Sequence, residues 1–296
     1  MVGWLIYSKL DVKKNHRYIQ FYKEEGMLRN ITIQLILAEE LVFGVRGDSW
    51  YLTYNRNDIK LPDFAICRTI YPLLNAQLEY MGLPVFNNSH IAEICNNKAK
   101  TYQYIAQLGI PMIDSKFVKN SLIKKELENI TEPAVIKAVA GHGGSQVFLR
   151  KPGDINDFED DFYQKLNNSD VVIQPLIGSR HQDLRVYIIG KEIIASVLRT
   201  AREGFKSNFS LGGDVERYEL NSTEIQLVNK IISKFDFGMV GIDFIIGDRN
   251  ELIFNEIEDV VGARMLYQTS NINLVGLYLD YIKSKVLYSN RNITLT

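Results

Sequence analysis

The chain has 296 residues, 46% of them hydrophobic and 23% charged, with a formal net charge of −1 and a sequence pI of about 6.5. That length and apolar content can bury more than one core, which excludes a disordered chain and points to two or three compact units. Near-neutral charge, with Lys and Arg dispersed, lacks the long-range field that draws nucleic acid or an anionic membrane, so small ligands are expected instead.

No stretch approaches the ~18 unbroken apolar residues that a bilayer-spanning helix needs. The start, Met1-Val2-Gly3-Trp4-Leu5-Ile6-Tyr7, has no basic segment followed by a long apolar run, so a cytoplasmic location is expected. Cys67 and Cys95 are the only cysteines, each among apolar neighbours and without metal spacing, and are read as buried free thiols.

In chain order, Trp4 to Ser8 reads as a strand, His16 to Met27 as a helix and Ile31 to Leu37 as a second strand. Phe64 to Cys67 is a further strand ending at Arg68, followed by a helix near Tyr71 to Met81 and a strand at Gly82 to Phe86. This βαβ rhythm predicts a parallel sheet with ligands near the carboxyl ends of its strands. Asn87-Asn88-Ser89 is a helix-capping run, and Lys98 to Leu108 reads as a helix stopped by Gly109-Ile110-Pro111. Strands are predicted at Ala134 to Val139, Gln146 to Leu149 and Val171 to Gln174, with 151–168 as loop and short helix. Arg185 to Ile189 and Ile193 to Leu198, joined by Gly190-Lys191, read as a hairpin.

Three segments carry chemistry. Val135-Ile136-Lys137 runs toward Gly141-His142-Gly143-Gly144-Ser145, setting a lysine beside a loop whose backbone N–H groups can approach phosphate oxygens. Gly241-Ile242-Asp243-Phe244 and Phe254-Asn255-Glu256-Ile257-Glu258 bring carboxylates onto apolar strands. Glu256 and Glu258 are two apart and share a strand face, so with Asp243 three carboxylates are expected to converge on hard divalent cations. Taken singly each piece is weak: most glycine-rich loops are turns, a lone Lys98 is as readily a solvated helix-start lysine, and a lone Asp243 is more readily a turn residue. A plain core strand equally accounts for Val171 to Gln174.

The ordered set Lys98, Lys137, Gly141 to Ser145, Gln174-Pro175-Leu176-Ile177, Asp183-Leu184-Arg185, Arg199, Asn208, Gly212-Gly213, Asp243 and Glu256-Ile257-Glu258 resembles the ATP-grasp superfamily, and within it the RimK-like carboxylate–amine ligases. The resemblance runs from about residue 87 to about residue 273. It implies an α/β ATP-grasp fold, with a preceding domain at 1–86, a central lobe at 87–178 and a C-terminal lobe at 179–296.

Position by position, the resemblance implies that Lys98 and Lys137 hold ATP phosphates, and that Gly141, His142, Gly143, Gly144 and Ser145 form the mobile phosphate loop. Gln174, Leu176 and Ile177 would be the hinge that reads the adenine edge. Arg185 and Arg199 would face the phosphates and the acyl phosphate, with Asp183 orienting Arg185, and Asn208 would complete the closed site. Asp243, Glu256 and Glu258 would hold Mg²⁺, or Mn²⁺ in its place, at two ion positions.

The chain departs from the family where Glu258 stands in place of the usual Asn, and where Val260-Val261-Gly262-Ala263-Arg264 replaces the usual Ser-Pro-Gly. Lys206 also replaces an arginine, losing its planar fork. Arg68 and Arg264 are expected to meet across the cleft and clamp a substrate carboxylate, although either alone is as readily a surface or salt-bridged arginine.

The expected activity is ATP-dependent, ADP-forming ligation of a small-molecule or peptide carboxylate to an amine through an acyl phosphate. The alternatives are a small-molecule kinase and a non-catalytic nucleotide-binding protein. A homo-oligomer is left open. No nucleophile elbow or Ser-His-Asp order supports hydrolase chemistry.

Overall fold

The computed structural model describes residues 1–154, 161–202 and 213–293, with side chains to residue 288. Strand β1 (Val2–Tyr7) leads into helix α1 (Lys9–Leu28) and parallel strand β2 (Thr32–Leu37). Ser8 caps α1 by accepting from the Asp11 amide, so the helix starts well before His16, and it is kinked at Asn15. An antiparallel meander of β3 (Leu41–Arg46), β4 (Ser49–Tyr54) and β5 (Asn57–Asp58) follows, in a stretch the sequence reading left unassigned. Strand β6 (Phe64–Cys67), helix α2 (Pro72–Tyr80) and strand β7 (Val85–Phe86) then complete a parallel sheet of order β2-β1-β6-β7.

Helix α3 (Ser89–Cys95) is capped by Asn88, and α4 (Lys98–Ile105) by Asn97. The expected helix to Leu108 tightens to a 3₁₀ turn at Ala106–Leu108 and ends where Gly109 takes φ +60°. A second sheet, of order β10-β9-β11-β8, is built from β8 (Lys116–Val118), β9 (Ala134–Ala138), β10 (Val147–Arg150) and β11 (Val171–Pro175). Helices α5 (Ile123–Glu128) and α6 (Asp161–Leu166) accompany it, and Ile123, Phe162 and Leu166 close its small apolar cluster with Ile136 and Val171.

The third sheet, of order β14-β13-β12-β15-β16, is antiparallel throughout. It contains β12 (Gln182–Ile189), β13 (Glu192–Thr200), β14 (Asp214–Tyr218), β15 (Met239–Ile246) and β16 (Leu252–Glu258). Helix α7 (Ser222–Lys234), held by a capping box between Asn221 and Glu224, lies between β14 and β15 in sequence, while α8 (Arg264–Thr269) and α9 (Leu274–Ile293) follow β16.

Period-two alternation decides what each face of this sheet does. Leu184, Val186 and Ile188 of β12, with Val240, Ile242 and Phe244 of β15, pack under α3, α4 and α7. On the opposite face Tyr187, Ile189, Val197 and Met239 join an apolar cluster that also contains Leu5 and Tyr7 of β1, Ile19 and Tyr22 of α1, and Leu279 and Ile282 of α9. Farther along that same face the residues turn polar: Asp183, Arg185, Arg199 and Asp243. Core and cleft floor are therefore two ends of one sheet face.

Candidate active site

The strand register builds the floor. Arg185 stands opposite Asp243, Asp243 opposite Glu256, and Asp183 opposite Arg199. Facing cross-strand residues have Cβ atoms about 5 Å apart, so opposite charges on one face are brought into contact by pairing alone. Arg185 grips Asp243 with two bonds, Nε to Oδ1 at 2.7 Å and Nη2 to Oδ2 at 2.6 Å. Arg199 Nη2 donates to Asp243 Oδ2 at 2.8 Å and to Asp183 Oδ2 at 2.7 Å, and its Nε also contacts Asp183. Gly241 makes room for this: a Cβ there would meet Val261 Cγ2 at 2.7 Å and Arg185 Cδ at 3.3 Å.

One expectation is corrected here: Asp183 engages Arg199, while the partner that orients Arg185 is Asp243. Asp243 is 1% exposed, faces Glu256 across the strands, and its two oxygens serve both guanidiniums. Burial raises the Asp243 carboxyl, but Arg185 and Arg199 outweigh it and hold the group well below the usual carboxylate range. Among the described residues no three His, Cys, Asp or Glu side chains are grouped as a metal ligand set.

Glu258 and Glu256 keep oxygens toward the cleft. Arg185 Nη1 lies 2.5 Å from Glu258 Oε2, yet that buried oxygen receives no hydrogen bond of proper geometry. The contact is a close ion pair whose N–H is not aimed at the oxygen. Burial raises the Glu258 carboxyl, and Asp243 and Glu256 add to this against the pull of Arg185.

Opposite this floor sit two lysines. The β15–β16 register slips between Asp243 and Phe244, leaving Asn255 as the extra residue, and a bulge of this kind re-aims a side chain. Asn255 Oδ1 accepts from Lys137 Nζ at 2.7 Å. Lys98 Nζ donates to the Gly141 carbonyl at 2.6 Å and lies 3.2 Å from Glu256 Oε2. Burial pushes the Lys137 ammonium down to about 8, with Lys98 assisting against Glu256. Burial would raise Glu256, but Lys98 and Lys137 hold it below its ordinary value.

The glycine loop joins β9 to β10 beside these lysines, with Gly143 at φ +63° and Gly144 at φ +73°, where a side chain would be strained. Burial and then Lys98 lower the His142 imidazole. Ser145 is exposed and turns its hydroxyl back onto the His142 carbonyl at 3.1 Å. At the end of β11 the Leu176 amide is committed to the Pro133 carbonyl at 2.9 Å, so its N–H is not available to a ligand. Gln174 Nε2 donates to Ser115 at 2.8 Å while its buried Oε1 has no partner.

Lys98, Lys137, His142, Arg185, Arg199, Glu256 and Glu258 line one cleft of about 920 Å³. Of the residues singled out from sequence, Ser145 and Asp243 do not line it, and Asn208, with Gly212 and Lys206, lies outside the described residues. Residues the sequence reading missed are Asn255, Asn96, and Lys14 and Arg17 at the α1 kink. Asn255 stood inside a motif already noticed, but only the bulge turns it toward Lys137.

The wall away from the lysines is basic. Arg68, 7% exposed, donates from Nη2 to the Val261 carbonyl at 3.0 Å and from Nε to Tyr7 Oη at 3.3 Å, with its guanidinium 5.4 Å from the Tyr18 ring centre. Arg264 is exposed and donates to the Lys14 carbonyl at 3.3 Å. Arg68 and Arg264 thus line the same cleft from β6 and from the segment after β16, and neither forms an ion pair with a carboxylate among the described residues.

Comparison with known proteins places this geometry in a family. A RimK-like ATP-grasp domain matches residues 95–282. N-acetylaspartylglutamate synthase A of Homo sapiens is 26% identical over 271 residues, spanning 86% of this chain and 69% of that protein. A probable alpha-L-glutamate ligase of Legionella pneumophila (strain Corby) is 27% identical over 217 residues, 70% of each chain. The ATP-grasp ligase PsnB, solved with a phosphomimetic variant of its minimal precursor, Mg and ADP, has the same fold, with a TM-score of 0.67 at 16% identity over 96% of this chain and 98% of that one. The family match covers well over half of the sequence, and this protein belongs to the RimK-like ATP-grasp family.

Proposed function

We propose that the cleft binds ATP between the glycine loop and the arginine floor and uses it to activate a substrate carboxylate for capture by an amine. The reaction class is ATP-dependent carboxylate–amine ligation. One observation carries the reading of the site: Lys98 and Lys137 from one side of the cleft and Arg185 and Arg199 from the other surround a single space beside a loop built for close backbone approach. A carboxylate oxygen attacks the γ-phosphorus and ADP leaves. The amine then attacks the acyl carbon and inorganic phosphate leaves, forming the amide.

In this reading Lys98 and Lys137 hold the phosphates, and Arg185 and Arg199, kept rigid by Asp243 and Asp183, neutralise charge on the transferring group. Catalysis is positioning and charge compensation, with no enzyme nucleophile. The unpartnered Gln174 Oε1 suits the exocyclic amine of the adenine. Hard oxygen donors at Glu256 and Glu258, one of them a buried oxygen without a directed donor, suit Mg²⁺, which supplies charge neutralisation to the phosphates when bound. Two such ions are part of this proposal, with Mn²⁺ able to replace Mg²⁺.

Arg68 and Arg264 on the basic wall support a carboxylate-bearing substrate, because a guanidinium can hold a carboxylate with two parallel bonds. Residues 1–86, 87–178 and 179–296 are proposed as the preceding domain and the two lobes.

The test is ADP release against a panel of amino acids and small carboxylates, with hydroxylamine added to trap the acyl phosphate. Formation of a hydroxamate together with free phosphate supports ligation. A stable phosphoester without free phosphate would instead establish a kinase.

A further inference from the structure

Behind the cleft lies a buried polar knot that no part of the proposed chemistry uses. Asp259 follows Glu258 at the end of β16, is 5% exposed, and has no ion-pair partner among the described residues. Its Oδ1 accepts from Asn87 Nδ2 at 2.6 Å and its Oδ2 from Asn96 Nδ2 at 2.9 Å. Asn87, 4% exposed, also accepts at Oδ1 from the Gly238 amide at 2.6 Å and the Met239 amide at 3.1 Å. Its backbone carbonyl accepts from Asn75 Nδ2 at 3.1 Å. The ends of β7, α3 and β16 and the start of β15 thus meet on two side chains.

This knot reaches the cleft through one short post. Asn96 lines the cleft, Asn97 caps α4 by accepting from the Lys100 amide at 2.9 Å, and Lys98 is the first residue of that helix. The Lys98 amide donates to the Val139 carbonyl at 2.9 Å, while its ammonium reaches Gly141 and Glu256. Residues 96–98 are therefore fastened to the acidic end of β16 through Asp259 and to the glycine loop through Lys98. A buried carboxylate among neutral amides is costly unless both oxygens are used. Here two amide donors, one from each asparagine, use them. An asparagine at 259 would serve Asn87 equally well but would turn a donor toward the donor of Asn96.

We propose that Asp259 is a positioning residue for nucleotide binding: through Asn96 it holds the post that carries Lys98 at a set distance from Glu256 and the glycine loop. This rests on the reading of the cleft as an ATP site and extends it to a residue outside the cleft.

The experiment is ADP binding by titration calorimetry, well below the melting temperature, with the melting temperature recorded alongside. Asp259→Asn should weaken ADP about tenfold, the scale of coupling between groups in one hydrogen-bond network. A role confined to stability predicts a lower melting temperature with wild-type ADP affinity, and that result overturns the proposal. If Asp259→Asn does not fold, Asn96→Ala carries the same tenfold expectation, and wild-type affinity there overturns it. Absence of ADP binding by the wild-type protein would sink the ATP-site reading instead.

Discussion

Lys137 and Asn255, 118 residues apart in sequence, meet with Nζ 2.7 Å from Oδ1 in the wall of the cleft. The contact exists because β16 bulges at Asn255, and it holds a lysine whose ammonium burial has brought down to about 8. Lysine charge and position are thus both set by strands from different sheets.

Lys137→Ala should lower ADP formation at least about 10²-fold, the scale of losing one charge-stabilising donor, with circular dichroism unchanged. Normal turnover in the folded variant would remove Lys137 from the phosphate site.

The same lysine predicts a pH dependence. Its folded-state pKa lies below its ordinary value, so the free protein loses this charge as pH rises through about 8. ADP affinity should therefore weaken above pH 8, and Lys137→Arg, which stays charged, should flatten the profile. The sign for stability runs the other way: the unfolded chain holds the proton to higher pH, so the contribution of Lys137 to stability rises from about pH 8 toward its ordinary pKa. Calorimetric titration between pH 6.5 and 9.5 reads the affinity.

Asp243 is expected to matter as much for folding as for turnover. Asp243→Asn leaves two buried guanidiniums short of a counter-charge and should cost about 3–5 kcal/mol, read from denaturant midpoints. Its carboxyl is held low in the folded state, so this stability is complete above the ordinary carboxylate range and is lost as pH falls through and below that range. A variant as stable as wild type would show that Arg185 and Arg199 are compensated by other groups.

Glu256 and Glu258 should separate. Glu256→Gln should abolish Mg²⁺-dependent ADP formation, whereas Glu258→Asn, which restores the commoner family residue, should keep activity with an altered metal dependence. Equal inactivation would make Glu258 an obligatory ligand, and an unaffected Glu256→Gln enzyme would dismiss the metal seat.

Arg264→Lys keeps charge but loses the guanidinium fork, so substrate KM should rise while ATP affinity stays near normal. Steady-state kinetics with each substrate varied in turn decides this. Weakened ATP affinity with unchanged substrate KM would move Arg264 to the phosphate side.

The sequence by itself determined the parallel first sheet, the β12–β13 hairpin, the strand ends at Lys137 and Glu256, and the glycine loop, because each is written in local periodicity and turn chemistry. It also carried the family, through residues whose order survives along the chain. What each charge faces was decided only by tertiary structure. Asp183 shares a strand with Arg185 and Asp243 lies on the neighbouring one, and nothing local says that the second, not the first, would hold Arg185; cross-strand register did that. The meander at 41–58 was missed because its inward residues are few and its exposed ones apolar, including Val42, Val45 and Trp50, which blurs the alternation. The bulge at Asn255 and the Asp259 knot depend on which strands and helix ends meet, and such long-range pairing leaves no local trace in the sequence.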